Sequence, residues 1–202
     1  MTLRMPVLET ERLIIRPFQS TDLDAVYHIL DIELADAHTG AEHAENKAQR
    51  SGWLDWTIAG YEELARLYQF PMSDRAIVLR ERNELIGVVG FNPAIMPFSQ
   101  VPDLAAAPAG RSSFELGLFW AVSPRQQRRG YAAEAARAMI NFAFATQGLW
   151  RIVAATSYEN AASQAVMRKL GMTLYRNPQE DPPYFQVVGV IEHARLARPG
   201  NK

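Results

Sequence analysis

Residues 115–145 read ELGLFWAVSPRQQRRGYAAEAARAMINFAFA, and three kinds of local structure follow one another in that stretch. Glu115 to Val122 is an apolar and aromatic run halted by Ser123-Pro124, the pattern of a buried strand. From Tyr131 onward, Ala132, Ala135, Ala136, Met139, Ile140 and Ala143 recur at helical spacing and share one face. Between strand and helix lies Arg125-Gln126-Gln127-Arg128-Arg129-Gly130. Orphan N–H groups at a helix start, the helix dipole and nearby guanidiniums all favour an anion, and Gly130 lets a ligand approach the backbone closely. A phosphate chain is one ligand that suits such a turn; a solvated basic turn is the plainer reading.

Composition bounds the alternatives. A chain of 202 residues with 48% hydrophobic and 21% charged residues can bury one substantial core, so a single domain over residues 1–202 is expected. The formal net charge of −1 gives no global basic field, so nucleic acid is not expected as a partner. With no cysteine there is no disulfide, thiolate metal site or cysteine nucleophile. The opening MTLRMPVLETERL lacks an apolar leader-like run, and no stretch is long enough to span a membrane, so a cytoplasmic protein without membrane association is expected.

Outward from the central stretch, the chain alternates strand and helix signals. Glu11 to Phe18 predicts a first strand, and Thr21-x-x-Asp24 has the form of a capping box before a short helix carrying Leu23, Val26, Tyr27 and Leu30. Residues 31–47 hold many acids and two histidines, His38 and His43, without metal-ligand spacing; a surface loop or a mobile helical segment fits, with a solvated loop expected over a metal site. Gln49 to Tyr68 predicts a helix whose Trp53 and Trp56 pack the core or wall a cleft. Arg75–Arg80 and Leu85–Phe91 predict a hairpin. Residues 92–113, rich in Pro, Ala and Ser, predict a long loop or lid outside the core. Further strands are expected at Leu149–Thr156 and Tyr184–Ala194, and a helix at Asn160–Leu170 closed by Gly171. This order predicts a mixed α/β sheet with helices on both faces.

In this order, ETERLIIRPF, LIGVVGF, FELGLFWAVSP, QQRRGYAAEA and LWRIVAATSYENAASQAVMRKLGM resemble the GNAT superfamily, the Gcn5-related N-acetyltransferases, and within it the RimJ/RimL-type ribosomal-protein alanine N-acetyltransferases. The resemblance runs from Glu11 to about Thr173. It implies a six- or seven-stranded, largely antiparallel mixed sheet splayed beside the central strand. It implies acetyl-CoA as cosubstrate, with the Trp120, Ala121 and Val122 backbone on the pantetheine arm. The backbone of Gln127, Arg128, Arg129, Gly130, Tyr131 and Ala132 would hold the pyrophosphate, and Asn160 and Ser163 would meet the pantetheine and its phosphate end. For Asn160 and Ser163 the plainer roles are a helix cap and a solvent-facing residue.

An amine attacking a thioester must lose a proton, the carbonyl oxygen must be stabilised, and the thiolate must gain a proton. The Val122 N–H is the candidate for polarising the carbonyl. Glu115 is the candidate base, against the alternative of a strand end in solvent. Glu134, in the first helical turn, reads as a dipole partner. Many superfamily members carry a tyrosine acid where this chain has Met167, so that role does not transfer; Ser163 or water is the candidate donor. The function implied is acetyl transfer to a primary amine, a protein N-terminus or a small molecule, by a monomer or homodimer. A non-catalytic acyl-CoA-binding module is the alternative. A P-loop enzyme is disfavoured because no GK[ST] follows the glycine.

Overall fold

The computed structural model describes residues 4–36, 43–104 and 111–193. The expectations for His38 and for the middle of the 92–113 segment therefore fall partly or wholly outside the described residues. The chain divides into two compact units, one of residues 1–92 and 118–139, the other of residues 93–117 and 140–202. Two strands and a helix run through both.

The first unit is built on β1 (Leu8–Glu9), β2 (Leu13–Arg16), β3 (Asp74–Leu79), the first part of β4 (Glu84–Met96) and the last part of β5 (Ser113–Val122). Its strand order is β1-β2-β3-β4-β5. The β1–β2, β2–β3 and β3–β4 pairs are antiparallel, and β3–β4 carries a register shift at Ile77/Val78. On one face Phe18, Val26, Ile29, Leu30, Leu34, Leu54, Ala76, Val78, Val88 and Ala121 form a buried cluster, with Trp53 and Phe119 packed against it. Helix α1 (Leu23–Tyr27) brings Val26 to that cluster, helix α2 (Lys47–Arg66) brings Leu54, and the turn after α1 brings Ile29, Leu30 and Leu34.

The second unit holds β6 (Arg151–Thr156), α4 (Ala161–Leu170), β7 (Thr173–Arg176) and β8 (Val187–Glu192), with the remainder of β4, β5 and of α3 (Tyr131–Ala145). Its order is β5-β6-β8-β7. Strands β5 and β6 run parallel, with Gly117 opposite Val153, and the β6–β8 and β7–β8 pairs are antiparallel. Eight strands in all are described, against the six or seven expected. The additions are short: β1 has two residues and β7 four. Helix α4 begins with the Asn160 carboxamide accepting the Ser163 N–H and ends at Gly171, whose φ of 82° suits glycine.

Three local expectations need correction. The capping carboxylate before α1 is Asp22, not Asp24: Asp22 accepts the Gln19 N–H at 2.8 Å and both Arg16 nitrogens. Residues 31–36 are not a loop in solvent. A π-helical turn, His28–Glu33, carries Asp31 into the interior. There it meets Arg50 through Nε and Nη2 at 2.7 and 2.6 Å and accepts the Ala44 N–H. The segment after Asn92 does contribute core. Strand β4 continues to Met96, and Phe98, Val101 and Leu104 are buried with Val153, Phe185 and Val188. Their spacing of three puts them on one side of a 3-10 turn, Phe98–Gln100, and of the bend after it.

Candidate active site

The turn after β5 is built from the strand end outward. The Ser123 N–H donates to the Ile86 carbonyl at 2.9 Å, extending the hold of β4 on β5. A Cβ on Gly87 would lie 2.3 Å from the Ala121 carbonyl oxygen, so glycine is what lets these two strands approach. The Val122 carbonyl accepts the Gln127 side-chain N–H at 3.0 Å, which folds the turn back on the strand it leaves. Arg128 has φ 60° and Gly130 φ 85°. Left-handed residues in a turn gather successive backbone N–H groups into an anion-binding concavity. Helix α3 starts at once at Tyr131, and the first N–H groups of an α-helix have no partner within it. Gln127, Arg128 and Arg129 are exposed and Gly130 is half-buried, so the turn faces solvent with its backbone accessible.

A residue that sequence reasoning passed over fixes this turn. Arg12, on the approach to β2, donates Nη1 to the Arg129 carbonyl at 3.0 Å and lays its guanidinium 4.6 Å from the Tyr131 ring centre. It also pairs with Glu134, which further accepts the Arg12 N–H and the Thr10 hydroxyl. Burial alone would raise the Glu134 carboxyl, but the hydrogen bonds from Thr10 and Arg12 outweigh it and hold the group below its ordinary range. Glu134 therefore anchors the helix start to the first strand as well as complementing the dipole. Nothing in the sequence distinguishes Arg12 from any other arginine just before a strand.

Beside the turn, a second polar set was also unforeseen. Glu33, at the end of the π-helical turn, accepts the Ser123 hydroxyl at 2.5 Å and Arg125 Nε at 2.8 Å, and lies 3.2 Å from His28 Nε2. It ties the end of β5 and the start of the basic turn to the first helical segment. Arg125, one of the guanidiniums near the turn, is thus paired with a protein carboxylate.

In the second unit, Glu115 neither sits in solvent nor stands open. It is buried, and Arg151 of β6 grips both carboxylate oxygens, Nε to Oε2 at 3.0 Å and Nη2 to Oε1. Ser163 is half-buried one turn into α4, its N–H capped by Asn160. Met167 is 1% exposed, and its sulfur lies 3.0 Å from where a Gly189 Cβ would be, so this position is core against β8. Tyr158 donates its hydroxyl to the Asn177 carbonyl, a structural bond. Among the described residues there is no group of three or more His, Asp and Glu able to hold a metal, and no helix long and apolar enough to cross a membrane.

A strand, a left-handed basic turn and a helix start thus follow one another at the end of β5, a backbone arrangement suited to an anion. Residues 12–173 match the family model described as Acetyltransferase (GNAT) domain, a span that runs through both units. The chain belongs to the GNAT family and is an N-acetyltransferase. It is similar to the N-acetyltransferase YoaA of Bacillus subtilis (strain 168), with 29% identity over 167 residues, 82% of each chain. A solved acetyltransferase from Agrobacterium tumefaciens str. C58 superposes with a TM-score of 0.67 at 26% identity, over 96% of this chain and 98% of that one. RimL, the ribosomal L7/L12 alpha-N-protein acetyltransferase solved in complex with coenzyme A, shares the fold at 16% identity with a TM-score of 0.65, over 92% of this chain and 96% of its own.

Proposed function

We propose that this N-acetyltransferase takes its acetyl group from acetyl-CoA and passes it directly to a primary amine, a protein N-terminus or a small molecule, in the manner of the RimJ/RimL-type enzymes. The observation that carries the reading is the turn at Arg128 and Gly130. Two left-handed residues lead into the N-terminus of a 15-residue helix, with Arg12 bracing the Arg129 carbonyl from behind. A pyrophosphate on the backbone of Gln127 to Ala132 would meet the N–H groups at the start of α3 and the positive end of the helix dipole, the Gln127 N–H already donating to the Pro124 carbonyl. Arg128 and Arg129 add charge from exposed positions, where solvent and salt weaken it.

The Trp120–Val122 segment then runs toward the reacting end of the cosubstrate, and the Val122 N–H is the donor aligned with the thioester oxygen. The Val122 carbonyl accepts the Gln127 side chain and the Ser123 N–H donates to Ile86, which holds the Val122–Ser123 peptide unit at the end of this segment. Glu115, with both oxygens gripped by Arg151, acts as a strut between β5 and β6 rather than as the base. With Met167 in the core, the leaving thiolate takes its proton from water.

The test is acetyl-CoA titration by calorimetry, followed by thiol release on mixing with an amine panel. Because the protein has no cysteine, released CoA is the only thiol in the assay. Saturable binding with amine-dependent thiol release is expected. Binding with no thiol release from any amine would overturn transfer, and no binding would overturn the cosubstrate.

A further inference from the structure

Strand β3 opens with an acidic residue, Asp74, ahead of the apolar run Ala76–Leu79. Asp74 sits opposite Gly90 on β4, two residues along the ladder from the Ala76–Val88 pair and so on the same face. That face carries the apolar cluster of α1, α2 and the sheet, with Ala121 buried in it and Trp53 and Phe119 packed against it. The Asp74 carboxylate leans across β4. A Cβ placed on Gly90 would fall 2.1 Å from Asp74 Oδ1 and 2.8 Å from Asp74 Cα, so only glycine leaves room for it. The neighbouring charges are otherwise engaged. Arg50 of α2 is held by Asp31, and Arg16 holds Asp22. Arg75, next on the strand, donates to the Met5 and Pro6 carbonyls. Tyr61 of α2 gives its hydroxyl hydrogen to the Asp74 main-chain oxygen, not to the carboxylate. Among the described residues, none hydrogen-bonds or ion-pairs with the Asp74 side chain.

From this arrangement we infer that Asp74 is the catalytic residue that receives the acceptor's ammonium group and removes its proton. The inference rests on the reading of β5 as the acetyl-CoA strand, because Phe119 and Ala121 belong to that strand and to this face. The steps balance. The ammonium gives one proton to the Asp74 carboxylate. The free amine's lone pair forms the C–N bond at the thioester carbonyl. Collapse breaks the C–S bond, and the second nitrogen proton ends on the CoA sulfur as thiol; Asp74 returns its proton to solvent. An unpaired carboxylate at the end of an apolar face suits both tasks. Desolvation raises its pKa to about 6, only modestly offset by the Arg50 charge, which brings it near the operating range of a general base.

The experiment compares the wild-type chain with Asp74→Asn. Carboxyl carbon NMR on aspartate-labelled protein assigns Asp74 as the resonance the variant lacks, and its midpoint is followed with and without excess 2-phenylethylamine or an alanine-terminated tripeptide. A midpoint near 6 that moves down with at least one of these cations is expected. In turnover with acetyl-CoA, Asp74→Asn should lose the acid limb of the kcat/KM profile and about 100-fold or more of its height. Acetyl-CoA affinity and thermal stability should not fall. A midpoint that neither amine moves, or a variant with the wild-type rate and acid limb, overturns the proposal. A wild-type protein that binds acetyl-CoA but acetylates nothing would count against the transfer reading instead, and the NMR midpoint would still decide Asp74.

Discussion

Replacing Arg151 by Met separates a structural role for Glu115 from a chemical one. The two side chains are 14% and 10% exposed, so the pair is largely removed from water. Deleting one partner of such a pair strands the other charge. The loss is about 3 kcal/mol, the low end of the usual range because a little solvent reaches both groups. In a chain of 202 residues that corresponds to a fall in Tm of roughly 6–12 °C. Glu115→Gln should lose less, since an amide oxygen still accepts one guanidinium N–H. The double variant Glu115→Leu/Arg151→Met should recover to within about 1 kcal/mol of the wild type, because no unpaired charge remains. Urea unfolding at constant slope reports these differences as midpoints. Turnover is measured in parallel, well below each midpoint. The strut reading requires Glu115→Gln to retain kcat within a few-fold. A Glu115→Gln protein with an unchanged urea midpoint and a kcat reduced 100-fold or more would refute it and restore Glu115 as a base.

Three further outcomes follow from other parts of the molecule. Gly130→Ala places a side chain at φ 85° and should destabilise by about 1–2 kcal/mol. Gly130→Glu should in addition weaken acetyl-CoA binding more than tenfold by calorimetry, while Arg125→Ala, whose guanidinium is committed to Glu33, should change affinity far less. Arg50→Ala leaves the fully buried Asp31 side chain without its guanidinium and should lower unfolding free energy by about 3–5 kcal/mol, read from urea midpoints. The depressed Glu134 carboxyl contributes stability that is present above its ordinary 4.5 and lost as pH falls through the lower folded value. Glu134→Gln should therefore flatten the thermal-stability profile below about pH 4.5, and an acid limb as steep as the wild type's would count against the tie to Arg12 and Thr10.

The β5–turn–α3 unit was legible because each part has a strong local signal: an apolar run, a Ser-Pro stop, a glycine, then a helical stripe. The caps of α4 were legible for the same reason, Asn160 and Gly171 being residues whose backbone chemistry is nearly diagnostic. The four residues of β7, Thr173–Arg176, carry no apolar run to see, and the strand exists through its antiparallel pairing with β8. Proline-rich composition masked Phe98, Val101 and Leu104, although their spacing was the available clue. What could not be read at all were partnerships across long sequence separations. Arg12 with Arg129 and Glu134, Arg50 with Asp31, Glu33 with Ser123 and Arg125, and Glu115 with Arg151 each depend on two segments meeting in space. The candidate site was thus legible as a backbone shape and illegible as a set of side-chain roles.

The lone carboxylate of Asp74 also bears on how this protein will respond to selection. Its ordinary value is 3.8 and its value in the fold is about 6, a difference of up to about 3 kcal/mol. Because the shift is upward, the fold is most at ease with the group protonated, and stability drains away as pH rises through 6. Near neutrality, asparagine at this position would relieve that deficit without altering shape. A library screened only for survival at high temperature should therefore collect Asp74→Asn early. Such survivors would keep the fold and the acetyl-CoA turn while giving up the group assigned here to the amine, so robustness and turnover pull this single position in opposite directions.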